Sequence, residues 1–121
     1  MSVIVVGYSA KPEGQAALDR AIEEARMRDC QLIVVHTLEE DGEVTSLAEQ
    51  LAQSGLEHQI RLAPDRLDPA EEVLAAAERS TADFIVIGLR RRSPVGKLLL
   101  GSNAQRVLLD AACPVLAVKA G

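Results

Sequence analysis

Residues 3–7 read VIVVG, a short unbroken run of apolar residues that ends at a glycine. Similar runs return at residues 31–37, which read QLIVVHT, and at residues 84–88, which read FIVIG. Short runs without polar alternation are typical of strands buried on both faces, as in a parallel sheet. The three runs therefore predict the central layer of an α/β fold.

Amphipathic stretches separate these strands and predict helices. The first begins at Pro12, and the second spans residues 43–53 and stops at Gly55. Residues 68–71 read DPAE, a helix start with a capping residue, proline at the first position and a carboxylate three residues on. The last helix is predicted to be capped by Ser102. Its predicted inner face contains Val107, Leu108 and Ala111.

Two further strands complete the pattern. Residues 57–62 alternate polar and apolar side chains, which favours the edge of the sheet, and residues 114–118 read PVLAV. The order βαβαβαβαβ predicts a five-stranded parallel sheet with helices on both faces, a Rossmann-like or flavodoxin-like three-layer sandwich. We expect residues 1–121 to form a single domain.

Composition disfavours several classes of partner. The 121-residue chain carries a net charge of −5, which on average repels nucleic acid, and the cluster at residues 90–92 is short and has no aromatic platform. Cys30 and Cys113 have no metal-binding spacing, so neither a metal site nor a disulfide is expected. The apolar run at residues 3–6 is too short to span a bilayer. We therefore expect a cytoplasmic protein without a membrane or nucleic-acid partner.

The stretch from 88 to 102, GLRRRSPVGKLLLGS, is the strongest candidate for chemistry. It joins the end of a buried strand to a helix start, where free backbone N–H groups and the helix dipole favour an anion. Its arginines and Lys97 add positive charge to an acidic protein. A glycine turn with an ordinary serine cap and solvated arginines fits the residues equally well. The stretch is not a P-loop, because Leu98 follows Lys97.

The same stretch resembles the universal stress protein family. That family carries glycine, two residues, glycine, nine residues, then glycine followed by serine or threonine; the corresponding residues here are Gly88, Arg91, Gly101 and Ser102. Residues 98–108 (LLLGSNAQRVL) and 112–119 (ACPVLAVK) are also similar to the family. The resemblance covers nearly the whole chain and indicates a small single-domain member.

The resemblance implies strand order 3-2-1-4-5, with an adenine nucleotide where the first and fourth strands meet. It implies a small cytosolic stress-response module that binds ATP or AMP, with Mg²⁺ only when nucleotide is present. The implied positions at the base are Gly7, Tyr8, Ser9 and the backbone of Thr37. Those at the ribose are Ile87 and Gly88, and those at the phosphates are Arg91, Gly101, Ser102 and Asn103.

Two of these positions depart from the family pattern. Many nucleotide-binding members have aspartate where this chain has Ser9, and the second motif glycine is replaced by Arg91. An arginine there could clamp a phosphate through two hydrogen bonds or obstruct its approach. The alternative function is a nucleotide-independent dimeric interaction module with a degenerate motif.

Catalysis is not expected. Residues 88–102 contain no aspartate, glutamate or histidine to activate water, which disfavours even a slow ATPase. For His36, at the end of the second strand, satisfaction by hydrogen bonds is favoured over a role as a base. The last strand is apolar on both faces and lies at the sheet edge, so we expect a homodimer through it, and the resemblance indicates the same.

Overall fold

The structure, a computed structural model, describes residues 2–64, 68–91, 98–99 and 101–120, without the side chains of residues 91, 98 and 99. The strands are β1 (Val3–Tyr8), β2 (Gln31–His36), β3 (His58–Leu62), β4 (Phe84–Arg91), β5 (Leu98–Leu99) and β6 (Val115–Lys119). The helices are α1 (Pro12–Arg28), α2 (Asp41–Ser54), α3 (Pro69–Ser80) and α4 (Ser102–Asp110).

The main sheet has the strand order β3-β2-β1-β4-β6, and all of its pairs are parallel. This arrangement confirms the predicted α/β fold, its five-stranded parallel sheet and the order 3-2-1-4-5. It also confirms that residues 58–62 form an edge strand. The first and fourth strands are neighbours, with Val5 beside Ile85.

One short strand was not predicted. The sequence predicts a loop over residues 89–101, but β4 continues to Arg91 and pairs antiparallel with β5, Arg90 with Leu99 and Arg91 with Leu98. The parallel pairing of β4 with β6 ends at Leu89. Beyond that point the backbone groups of β4 need a new partner, and the returning chain supplies it.

The core lies on both faces of the sheet. Val3 and Val5 belong to a cluster beneath α3 and α4, whereas Ile4 and Val6 belong to a cluster beneath α1 and α2. Successive strand residues point to opposite faces, so strands between two helix layers must be apolar throughout. Both cysteines are free thiols. Within the described residues, no helix has the length and apolarity needed to cross a membrane.

The helix ends agree with the sequence in part. Gly55 ends α2 in the left-handed conformation with φ 73°, and Pro69 opens α3 after Asp68. The Asp68 side chain makes no capping hydrogen bond, however, and pairs with Arg106 instead. The prediction that Ser102 caps α4 was also wrong, because Gly101 occupies the cap position and Ser102 is the first helical residue.

The inner face of α4 is narrower than predicted. Val107 is 2% exposed, and Ala104 and Ala111 pack partly buried against the core. Leu108 is 40% exposed, so its assignment to the inner face was wrong. Successive residues of an α-helix are about 100° apart, so Leu108 lies about 60° from Ala111 and about 100° from Val107, at the margin of the face formed by residues 104, 107 and 111.

Candidate functional site

A cleft of about 620 Å³ opens where β1 and β4 end. From β1 the chain runs outward to β2 and β3, then crosses to β4 and β6, so the connections reverse direction between β1 and β4. Open α/β sheets bind ligands at such a switch point, outside the carboxyl ends of the strands. The cleft is lined by nine of the ten predicted site residues: Gly7, Tyr8, Ser9, Thr37, Ile87, Gly88, Gly101, Ser102 and Asn103.

Apolar side chains line the inner part of the cleft. Val35 comes from near the end of β2, Ile87 from the middle of β4, and Val73 and Val107 from α3 and α4. All four are buried members of the core cluster beneath α3 and α4. A surface of this kind stabilises the flat, weakly polar part of a ligand by removing it from water.

The loop between β1 and α1 forms one wall, and two glycines hold it in place. A Cβ on Gly14 would overlap the backbone of Ser9, and a Cβ on Gly88 would overlap the carbonyl group of Glu13. The start of α1 therefore lies directly on the end of β4. The sequence placed Gly88 beneath a ribose, but this close helix–strand packing is a separate requirement for glycine that it did not indicate.

The start of α4 forms the opposite wall. Gly101, Ser102 and Asn103 are exposed, and the cap residue Gly101 makes no side-chain capping hydrogen bond. The first helical backbone bond runs from the N–H of Gln105 to the carbonyl of Gly101. The preceding N–H groups have no acceptor within the helix, so together with the helix dipole they favour an anion here.

Gly101 leaves space in front of this helix start. Its backbone has φ −67° and ψ 163°, an ordinary extended conformation. Among the described residues, no atom beyond its chain neighbours lies within 4 Å of the position where a Cβ would be. A side chain at this position would therefore meet none of these atoms and would occupy space open to a ligand.

The charges at the cleft favour an anion. Lys11 and Arg90 line it, and within the described part of the chain neither has a carboxylate oxygen within 4 Å. Of the six described arginines elsewhere, five are ion-paired, Arg20, Arg28, Arg61, Arg79 and Arg106, and Arg26 donates to the carbonyl of Ser54. Glu13 is the one carboxylate among the described lining residues. Lys11 was missed by the sequence reasoning, which concentrated on residues 88–102.

His36 ends β2 at the edge of the cleft and is 5% exposed. The N–H of Leu38 donates to its Nδ1 at 3.1 Å, and burial lowers the pKa of the imidazole below its usual value. Accepting this bond requires a neutral ring with the proton on Nε2. The prediction of a strand-end histidine satisfied by hydrogen bonding is confirmed. Tyr8, its partner in register, donates its hydroxyl to Oε1 of Gln15 at 3.3 Å.

The comparisons with known proteins agree with this geometry. A family model described as the universal stress protein family matches residues 1–63 and 44–119. The chain belongs to the universal stress protein family. A universal stress protein of Mycolicibacterium smegmatis is 47% identical over 97% of both chains.

Solved structures of universal stress proteins share the fold. One from Archaeoglobus fulgidus has 33% sequence identity and a TM-score of 0.71, over 98% of both chains. A second structure of a universal stress protein from that organism, in complex with dAMP, has 28% identity and a TM-score of 0.65, again over 98% of both chains.

The two departures from the universal stress protein motif differ in what the structure shows of them. Ser9 is half-buried in the β1–α1 wall, with its backbone and hydroxyl packed against Gly14. Arg91 contributes its backbone to the pair with β5, but its side chain lies outside the described residues.

Proposed function

We propose that the cleft binds an adenine nucleotide, with the base and ribose on its apolar residues and the phosphates at the start of α4. The observation that carries this proposal is the exposed helix start at the β1–β4 switch point, whose cap residue Gly101 has no capping side chain. An N-terminal helix end attracts negative charge, and Lys11 and Arg90, which have no ion pair among the described residues, add to this attraction. A nucleotide matches both halves of the cleft because it joins an aromatic base to phosphate.

A related protein supports adenine as the base. The Archaeoglobus fulgidus universal stress protein in complex with dAMP is similar over 98% of this chain. We propose ATP or AMP as the ligand here. Mg²⁺ would accompany only a bound nucleotide and be held by phosphates, water and the Ser102 hydroxyl. No group of three or more His, Cys, Asp or Glu side chains suited to a metal occurs within the described residues.

We propose binding without catalysis. Hydrolysis of a phosphate needs a group that orients or activates water. Among the described lining residues, Glu13 and His36 are the candidates. Glu13 lies at the start of α1, on the wall opposite α4, and His36 is at the end of β2 with Nδ1 already accepting a hydrogen bond.

The protein would act as a regulatory module of the cytoplasmic stress response, without nucleic-acid or membrane partners.

The edge strand β6 supports a homodimer in the same proposal. β6 pairs with β4 along one side, and no other described strand pairs with it. Residues 115–118 of β6 are half-buried apolar residues, and Leu109 on α4 is 82% exposed. An unpaired apolar edge favours pairing with a second copy of the chain. Light scattering at tens of micromolar should show a dimer, and a monomer alone would contradict this part of the proposal.

The same edge strand favours a second candidate function, the nucleotide-independent dimeric interaction module. In that case the departures at Ser9 and Arg91 would mark a site that no longer binds. The two functions differ in one measurable property, which is whether nucleotide stabilises the folded protein.

Thermal unfolding with ATP, ADP or AMP, with and without Mg²⁺, tests the proposed function. Ligand at a hundred times its Kd stabilises the fold by about 2.7 kcal/mol. For a domain of this size that corresponds to a rise in Tm of roughly 10 °C. Mass spectrometry of ligand released from the purified protein would identify the natural nucleotide.

A pair of glycine variants locates the site. Gly101→Val should abolish the thermal shift, because its side chain would fill the open space in front of α4. Gly42→Val is the matched control, since Gly42 lies in the first turn of α2, also with open space around it. Equal shifts in both variants would refute this location. No shift in the wild type at millimolar nucleotide would favour the interaction module.

A further inference from the structure

Arg106 connects the two helices on the α4 side of the cleft. Its Nη1 lies 2.8 Å from Oε1 of Glu71 and 3.3 Å from Oδ2 of Asp68, and its Nε lies 3.7 Å from Oδ2 of Asp110. Two of these carboxylates belong to the start of α3 and one to α4 itself. The hydrogen bond to Glu71 raises the pKa of Arg106, so the guanidinium stays charged.

This cluster lies beside the proposed phosphate position. Asp68 directly precedes Pro69 and Ala70, which line the cleft. Arg106 follows Ser102 by four residues, which is about 6 Å along the helix axis. At physiological ionic strength charges interact over roughly 8 Å, so the charge state of this cluster acts on an anion bound at the start of α4.

Asp68 and Glu71 have a local reason to be acidic, since carboxylates at a helix start interact favourably with its dipole. The same carboxylates oppose an anion in the neighbouring cleft. One cation that contacts both of them removes much of this repulsion. Exposed ion pairs contribute little to folding, so loss of Arg106 should affect ligand binding far more than it affects the fold.

We propose that Arg106 is a positioning residue for anion binding, which holds and neutralises Asp68 and Glu71 so that the cleft accepts phosphate. The proposal rests on the proposed function and adds a residue outside the predicted site. Its effect should grow with the charge of the ligand, whereas a purely structural role would affect neutral and charged ligands alike.

The test compares Arg106→Gln with the wild type for adenosine, AMP and ATP by titration calorimetry. A unit charge lost about 7 Å from a phosphate weakens binding roughly threefold in water. Since a terminal phosphate carries about −1.5 to −2 charges at pH 7, we expect about fivefold for AMP, more than about tenfold for ATP with its higher charge, and no change for adenosine. At 1 M NaCl the Debye length falls to about 3 Å, so the difference in affinity between Arg106→Gln and the wild type should disappear.

Arg79→Gln is the matched control. Arg79 contacts Oε1 of Glu72 at 2.9 Å and is comparably exposed, 53% against 39% for Arg106, but it lies in the last turn of α3. This variant should bind all three ligands as the wild type does. Adding Asp68→Asn and Glu71→Gln to Arg106→Gln removes the two uncompensated carboxylates at the start of α3 and should restore ATP affinity, because the remaining partner Asp110 is about 12 Å along α4 from Ser102, beyond the screening length.

Three results would overturn the inference alone: unchanged ATP binding by Arg106→Gln, an equal loss for adenosine, or failure of the triple variant to recover affinity. A wild type that binds none of the three ligands would refute the proposed function, and the inference with it. The two failures are distinguishable because the wild-type titrations alone decide the second.

Discussion

Gly88→Ala should destabilise the fold because of how α1 packs on the sheet. The added Cβ would overlap the carbonyl group of Glu13, and its nearest neighbours also include the Glu13 Cβ. A clash with backbone cannot be relieved by a change of rotamer. Either α1 or the end of β4 must move, and Ala17, Leu18 and Ala21 on α1 are fully buried.

The expected cost follows from these contacts. Overpacking of a close-packed interior costs about 1–3 kcal/mol, and overlap with a fixed backbone belongs at the upper end, about 3 kcal/mol. Alanine also restricts the unfolded chain more than glycine does, and this offsets about 0.5 kcal/mol of the loss of stability. The net loss of about 2.5 kcal/mol corresponds to a fall in Tm of roughly 10 °C for a chain of this length.

Gly7→Ala is the control for this prediction. Gly7 is in the neighbouring strand β1 and also lines the cleft, but a Cβ there would meet Cγ2 of Val73 at 3.6 Å, an ordinary contact. Its Tm should stay within about 2 °C of the wild type. Calorimetric unfolding of both variants without ligand is the measurement. Equal Tm values would show that α1 does not depend on glycine at position 88.

Three further predictions concern the cleft. Lys11→Gln should weaken ATP binding severalfold and reduce its salt dependence, measured by titration calorimetry, whereas Arg26→Gln, at the far end of α1, should not. Because burial lowers the pKa of folded His36, the unfolded chain binds more protons as pH falls below about 6.5. The contribution of His36 to the free energy of unfolding is fully present above that pH and is lost as the pH falls below it. His36→Asn should therefore reduce the dependence of the free energy of unfolding on pH between about pH 5 and 7, measured by denaturation; an unchanged slope would contradict this reasoning. Arg91 pairs with Leu98, which lies three residues before Gly101. Arg91→Gly should therefore weaken ATP binding and reduce the dependence of that binding on salt. Tighter ATP binding by this variant would instead identify the arginine as an obstruction.

Much of the fold was predictable because the sheet lies between two helix layers. Strands such as β1 and β4 must then be apolar at successive positions, and this constraint is visible in residues 3–6 and 84–87. Pro12, Pro69 and Gly55 mark helix ends through their own backbone preferences. These signals are local, so they can be read without knowing what each segment contacts.

The errors occurred where local preference was not decisive. A two-residue strand such as β5 forms because β4 extends beyond its parallel partner, which depends on how far β6 reaches. Asp68 has the residue type of a helix cap, yet its carboxylate pairs with Arg106, 38 residues away. Leu108 is apolar but lies just outside the row of residues that faces the core.

For the cleft, the order of residues along the chain was enough to indicate which residues end β1 and which join β4 to α4, since the apolar run at residues 3–6 and the motif at residues 88–102 are local. The positions of Lys11 at the same cleft and of Arg106 at the start of α3 depend on how distant segments pack. Gly88 shows the physical reason: the motif marks the glycine, but the backbone that excludes a side chain belongs to Glu13. Close packing between distant segments is a property of the folded chain, and no local preference records it.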